Sequence, residues 1–293
     1  MGGGALAVRH GVTALRADAC RYPWPVPPRR RLALAVILSL ASCRKTTLDT
    51  RPPPKHPPLI AEGGSVFFVG NSFFGWQGRV LPQWVSALGA SMPQPIPIEA
   101  SGDIVFGDAP LADFLEHDAT REALAAKTYD VFVLQGHELE AVDDKEGFFA
   151  AVRAFDGAVR KAGGRTALFM TWDFPWRPFI ADVAAAYDEI GKELGVPVIP
   201  AGLVYEDCRR APPEGQAPYW LTASAANPKG DLHPNEKGAA VNTYATFATL
   251  TGVDPRGVNF EAPGNTNDDA LMKRLSDHAW ARVRPRLTTA SGK

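Results

Sequence analysis

Two residues of this chain stand where side chains do chemistry: Ser72 and His233. Ser72 follows the run Ser65-Val66-Phe67-Phe68-Val69 and the pair Gly70-Asn71. A β-branched and aromatic run that stops at Gly-Asn-Ser reads as a buried strand opening through a turn into a helix. That puts the Ser72 hydroxyl just past the carboxyl end of a parallel strand, where open α/β sheets bind their ligands. Helix N-terminal N–H groups beside it would hold an oxyanion. Gly70 leaves room for a sharp turn. Taken alone, a serine in this place is also what a helix N-cap looks like.

A serine hydroxyl attacks a carbonyl only when a base takes its proton. His233 is the best base in the chain. It lies in the polar stretch Gly230-Asp231-Leu232-His233-Pro234-Asn235-Glu236-Lys237-Gly238, in a loop ahead of a helix and not on an apolar face. Pro234 stiffens that loop, and Gly238 permits a close approach in the helix's first turn. His137, in Gln135-Gly136-His137-Glu138, is the rival base. His56 lies in a proline-rich stretch, and His117 and His278 read as helix-surface residues. Three groups compete to orient the imidazole. Asp231, two residues before His233, faces the same side if the loop is extended. Asp173 follows the fourth strand, and a backbone carbonyl would leave a dyad.

The Gly-Asn-Ser block and the Asp-Leu-His-Pro block together resemble those of the SGNH (GDSL-type) hydrolases, over about Ser65 to Gly252. The resemblance implies a flavodoxin-like, three-layer α/β/α domain with a five-stranded, mostly parallel sheet. It implies carboxylic ester hydrolysis through an acyl–Ser72 intermediate, with His233 as base and no cofactor. It further implies oxyanion donors: the Ser72 N–H, the Gly102 N–H in Ser101-Gly102, and a side-chain amide. The family draws that amide from an Asn in a Gly-x-Asn block. Here, counting from Gly136, Glu138 holds the place, and a carboxylate repels an oxyanion unless protonated. Gln135, with two amide donors, is the suitable substitute. The family's aspartate stands three residues before its histidine, a place taken here by Gly230; Asp231 comes one residue later.

The elements that must position these residues alternate. Strands are expected at 66–69, 95–100 (an edge strand, given its prolines), 129–134, 166–171 and 196–199. Val80, Leu81, Trp84, Val85 and Leu88 share a helical face, with Gly89 as C-cap. Residues 108–118 and 120–127 look helical. Phe148, Val152, Phe155 and Val159 space as a helix closed by Gly163-Gly164, and Ile180, Val183, Tyr187, Ile190 and Leu194 as another ending at Gly195. Further helices are expected at 235–250 and 267–283. Five strands interleaved with helices argue for a parallel sheet covered on both faces. Trp76, Trp172, Trp176 and Trp220 fall near strand ends or loops, either as ordinary packing or as a wall against a sugar or acyl group.

Ahead of this domain the composition changes. Arg29-Arg30-Arg31 precede the apolar run 32–40, which is too short to span a bilayer. A cationic cluster before such a run is a secretory leader. Leu40-Ala41-Ser42-Cys43 looks like the bacterial lipoprotein cleavage box, in which Cys43 is lipidated. Residues 1–28 are unusual for a leader, and Val26 is a candidate start; N-terminal sequencing of the precursor tests this, and a peptide beginning at Met1 or Gly2 refutes it. The organisation expected is therefore a leader at 1–42, a lipidated proline-rich tether at 43–62 and the hydrolase-like domain at 63–293. The expected location is the cell envelope, as an outer-membrane lipoprotein, with a small-molecule or glycan ester as substrate. A surface lipoprotein that keeps the fold and binds glycan without catalysis is the alternative.

Charge narrows the partners. Of 31 basic and 32 acidic side chains, the first 42 residues hold six arginines and one aspartate, leaving 25 against 31 beyond them. A mildly acidic domain does not suit a phosphate backbone, so no nucleic-acid partner is expected. No metal-ligand motif and no phosphate-cradling glycine loop occurs. The three cysteines, Cys20, Cys43 and Cys208, suggest no disulfide framework, and Cys208 reads as a lone half-exposed thiol.

Overall fold

The computed structural model describes residues 52–288 except 106, 108, 175, 218 and 225–229. The expected leader, Cys43 and the first part of the tether lie outside the described residues. The order of elements is β1 (Gly64–Gly70), β2 (Gly75–Trp76), β3 (Arg79–Val80), α1 (Leu81–Ser91), β4 (Ile98–Ile104), a 3-10 turn (Leu111–Glu116) and α2 (Asp118–Ala126). Then come β5 (Val131–Leu134), α3 (Glu140–Asp143), α4 (Lys145–Ala162), β6 (Arg165–Phe169), α5 (Ile180–Leu194), β7 (Val198–Ile199), α6 (Ala201–Arg210), α7 (Glu236–Thr251) and α8 (Asp269–Val283).

Five strands form one parallel sheet in the order β4-β1-β5-β6-β7. The chain leaves β1 for one neighbour, β4, then returns to the other side for β5. That reversal is the switch point where such sheets bind ligands at the strands' carboxyl ends. β1 alternates its side chains between two cores. Val66 and Phe68 join α1, α6, α7 and α8 on one face. Phe67 and Val69 join the 3-10 turn, α2, α4 and α5 on the other. A strand buried on both faces must be apolar throughout, which is why this run was so plain in the sequence.

Several expectations are corrected. No helix starts at Ser72. The segment Gly75-Trp76-Gln77-Gly78-Arg79-Val80 folds first into a two-residue hairpin, with φ of +50° at Gln77 and +81° at Gly78. Both central residues in the left-handed region make the primed turn that suits the twist of paired strands. Gly89 is not a C-cap; α1 runs on to Ser91, and a Cβ at Gly89 would collide with the Ile96 carbonyl. The second strand of the sheet does not stop at Ala100 but runs to Ile104, opposite Gly70. α6 was not anticipated; it begins directly after β7, and its Gly202 passes so close to the Thr171 carbonyl that a Cβ there would collide with it.

The described part of the tether, residues 52–62, does not stand free. The His56 N–H donates to the Arg286 carbonyl at 2.9 Å, and the Leu59 and Ile60 N–H groups both donate to the Leu250 carbonyl, at 2.8 and 3.0 Å. Ile60 is buried. Prolines 52–54, 57 and 58 carry no N–H, so little of this stretch's backbone needs a partner, and the Leu59-Ile60 pair adds apolar area to bury. Cys208 is fully buried, not half-exposed, and burial pushes its thiol up to about 12, the mark of an inert cysteine.

Candidate active site

Ser72 stands two residues beyond β1, and His233 reaches it from the loop before α7. The Ser72 hydroxyl lies 2.6 Å from His233 Nε2, and His233 Nδ1 lies 2.5 Å from Asp231 Oδ1. With the carboxylate accepting at Nδ1, the neutral ring carries its proton there and presents a bare Nε2 to the hydroxyl. Asp231 Oδ1 also accepts the His233 backbone N–H at 2.9 Å. The loop is extended because it pairs with residues 222–224: the Ala223 N–H donates to the His233 carbonyl at 2.9 Å and the Ser224 N–H to the Asp231 carbonyl at 3.1 Å. Residues two apart in extended backbone share a side, so the Asp231 carboxylate meets His233 Nδ1 from a place one residue nearer than the family pattern has it.

The next residue latches the loop. Asn235 caps α7 by accepting the Lys237 and Gly238 N–H groups, at 2.9 and 3.1 Å, and its own amide donates to the Trp220 and Thr222 carbonyls, at 2.8 and 3.0 Å. A Cβ at Gly238 would collide with the Leu221 carbonyl and the Tyr205 hydroxyl. Close approach at Gly238 therefore sets how far α7 and its loop can advance toward Ser72.

Aromatic rings pack against His233. Trp76, from the hairpin, stacks on the imidazole with centroids 3.6 Å apart. Phe73 meets it edge-on at 5.7 Å and stacks in turn on Trp172, which stacks on Tyr205. Trp172 donates its indole N–H to the Leu232 carbonyl at 3.2 Å. Trp220 is buried, and Trp176 is the exposed large apolar side chain among the described residues, at 47%.

The oxyanion donors need two corrections. Gly102 lies inside β4, opposite Phe68, and does not line the cleft. A Cβ there would press on the Phe68 carbonyl at 2.5 Å, so this glycine serves the approach of β1 and β4. The glycine beyond the end of β4 that lines the cleft is Gly107, with φ of +130°. Gln135 is buried, and its amide is already engaged: it donates to Asn71 Oδ1 at 2.6 Å and to the Gly136 carbonyl at 3.2 Å. Gly70 makes room for it, since a Cβ would sit 2.8 Å from Gln135 Oε1. Asn71 Oδ1 also accepts the Phe73 N–H at 2.9 Å, so two donors fix the oxygen and direct Nδ2 to Glu138, 3.2 Å away. Gln135 thus orients Asn71. Asn71 and Glu138 both line the cleft.

The rival groups lie elsewhere. His137 does not line the cleft; its Nε2 is 3.3 Å from Glu138 and its Nδ1 accepts the Leu139 N–H at 3.4 Å. Asp173 does not reach His233; it accepts the Ile180 N–H at 3.4 Å, beside Glu206 and Arg209. Burial, reinforced by the Glu206 carboxylate, pushes the Asp173 carboxyl up to about 6. A raised folded value means the fold holds that proton more tightly than the unfolded chain does. Stability from this group is therefore greatest at low pH and falls as pH rises from about 4 through about 6. Asp173→Asn is expected to raise the stability measured by thermal melts at pH 8, by up to about 2 to 3 kcal/mol, and the gain should vanish near pH 4. A gain that does not change with pH would show that this carboxyl titrates normally.

Ser72, Asp231 and His233 open on a cleft of about 380 Å³, walled by Asn71, Phe73, Trp76, Gly107, Glu138, Gly230 and Leu232. Among the described residues, no group of three or more His, Cys, Asp or Glu side chains is placed to hold a metal ion.

No family model matches the sequence, and no curated protein matches it. Solved structures do match. A candidate SGNH hydrolase from Slackia heliotrinireducens superposes with a TM-score of 0.51 at 16% identity, over 64% of this chain and 99% of its own. A DUF4886 family protein from Bacteroides uniformis gives 0.57 at 14% identity, over 78% and 98%. An acetylxylan esterase from Geobacillus stearothermophilus gives 0.52 at 13% identity, over 67% and 98%. The likeness is one of fold, and it agrees with what the two sequence blocks implied: the chain carries the three-layer α/β/α fold of the SGNH hydrolases.

Proposed function

We propose that this chain is a serine esterase that hydrolyses small O-acyl esters through an acyl–Ser72 intermediate. One observation carries the reading: an unbroken proton path from Ser72 Oγ to His233 to Asp231, at 2.6 and 2.5 Å, opening on a cleft. His233 Nε2 takes the hydroxyl proton as Oγ bonds to the ester carbonyl. The imidazolium then gives that proton to the leaving alcohol. Water enters by the same route in reverse and frees the acid. We assign oxyanion stabilisation to the N–H groups of Ser72 and Gly107, with the Asn71 amide as the third donor.

The described ionisable residues of the cleft are Glu138, Asp231 and His233, with no lysine or arginine among them. A phosphate-bearing ester finds no cationic partner there, whereas an uncharged, hydroxyl-rich alcohol finds acceptors. The acetylxylan esterase among the structural neighbours points the same way. We therefore place O-acetylated carbohydrate ahead of lysophospholipid. Release of acetate from an acetylated oligosaccharide, compared with fatty-acid release from a lysophospholipid, tests the choice; faster turnover of the lysophospholipid would refute it.

The basic cluster, the apolar run and Cys43 support a lipid anchor in the cell envelope, with the domain held outside the cytoplasm. Cys43→Ala is expected to move the protein from the membrane fraction to the soluble one or to stall its precursor. Unchanged fractionation would refute the anchor.

A further inference from the structure

The hairpin between β1 and α1 pairs only with itself and adds no strand to the five-stranded sheet. It also holds Gln77, which is not a glycine, at φ +50°, a conformation that side chains with a Cβ adopt at some cost. Of residues 75–80, Trp76 is the one that lines the cleft. Its ring lies over the His233 imidazole with centroids 3.6 Å apart and planes within 6°. No other ring meets the imidazole face to face among the described residues, since Phe73 approaches by its edge, at 83°.

We propose that Trp76 is a positioning residue for the base, acting on His233 by charge as well as by shape. The inference rests on the esterase reading above. When the Ser72 proton passes from Oγ to Nε2, the imidazole becomes a cation directly over the indole face. An indole presents the most negative π surface of the aromatic side chains, and a cation held against it and away from water is stabilised. The cation forms as the tetrahedral intermediate forms, so the stabilisation acts at the transition state more than on bound ester and appears in kcat. The same stacking blocks rotation of the imidazole out of its bonds to Ser72 and Asp231.

The test uses the parent protein, Trp76→Phe, Trp76→Leu, and a series with one, two and four fluorines on a tryptophan placed at position 76 alone. Fluorine drains the ring's negative face while leaving its size nearly unchanged. With 4-nitrophenyl acetate, Trp76→Leu should lower kcat by about 10- to 30-fold with little change in KM. Trp76→Phe should recover most of that loss, and kcat should fall stepwise along the fluorinated series. Thermal melts identify a variant that fails to fold, and the fluorinated series decides the matter even if Trp76→Leu does. Parental kcat in Trp76→Leu overturns the proposal. So does a fluorinated series that keeps parental kcat, because the ring would then be only a wall. A parent that neither hydrolyses the ester nor reacts with a fluorophosphonate overturns the esterase reading, and this inference with it.

Discussion

Ser72→Ala is expected to lower turnover of a short-chain aryl ester by about 10⁴-fold or more, with the fold intact. The substitution removes one oxygen. The Ser72 backbone carbonyl still accepts the Gly75 N–H, at 3.1 Å, and the Phe74 N–H still donates to Asn71, at 3.0 Å, so the turn after β1 does not depend on the hydroxyl. Alanine fits a site that is only 7% exposed without adding volume. What disappears is the proposed nucleophile and the hydroxyl facing His233. Activity within about tenfold of the parent would mean that Ser72 only closes the turn, whereas a melting temperature far below the parent's would mean that the hydroxyl is structural.

Asp231→Asn should cut turnover by about 10²- to 10⁴-fold, while Asp173→Asn leaves it nearly unchanged. Asparagine keeps the size of the side chain. If its oxygen faces His233 it still accepts at Nδ1 but brings no charge to meet the imidazolium. If its NH₂ faces the ring, it favours the tautomer with the proton on Nε2, which cannot accept from Ser72. Asp173 lies in a separate group with Glu206 and Arg209, and its bond goes to the Ile180 N–H rather than to His233. The pair of variants therefore separates a carboxylate that acts on chemistry from one that acts on stability. Near-parental turnover in Asp231→Asn would move the orienting role to a backbone carbonyl and leave Ser72 and His233 in place.

How much of this was legible in the sequence depends on the range of the forces involved. β1, α5 and the places of Ser72 past a strand and His233 before a helix were readable because local patterns decide them: a run buried on both faces, a 3.6-residue apolar period, a polar stretch ahead of a helix. Gly195 ends α5 as that pattern requires, whereas Asn235, expected inside the next helix, is its N-cap. The oxyanion side was not readable. Ser101-Gly102-Asp103 looked like a loop because its side chains are small and polar, yet the backbone pairs with β1 through Ile104, and pairing is a long-range fact. That misreading drew the expected donor to Gly102, whereas the glycine past the strand's end that lines the cleft is Gly107. Gln135 was singled out as a suitable amide, but nothing local shows that its donors go to Asn71, 64 residues away, and to the Gly136 carbonyl. The hairpin that delivers Trp76 had only Gln77-Gly78 to announce it, a weaker turn signal than Asn-Gly. Proline content argues for an extended segment but not for what it lies against, so the contacts of His56, Leu59 and Ile60 with Arg286 and Leu250 were not readable.

The most direct measurement is intact-mass and peptide analysis of the protein after reaction with a fluorophosphonate. A single adduct on the peptide that contains Ser72 is predicted, formed by the parent and lost both in Ser72→Ala and after heat unfolding, because only a serine whose proton is taken by a folded base reacts at a useful rate. An unmodified parent, or an adduct that persists in Ser72→Ala, would contradict the account.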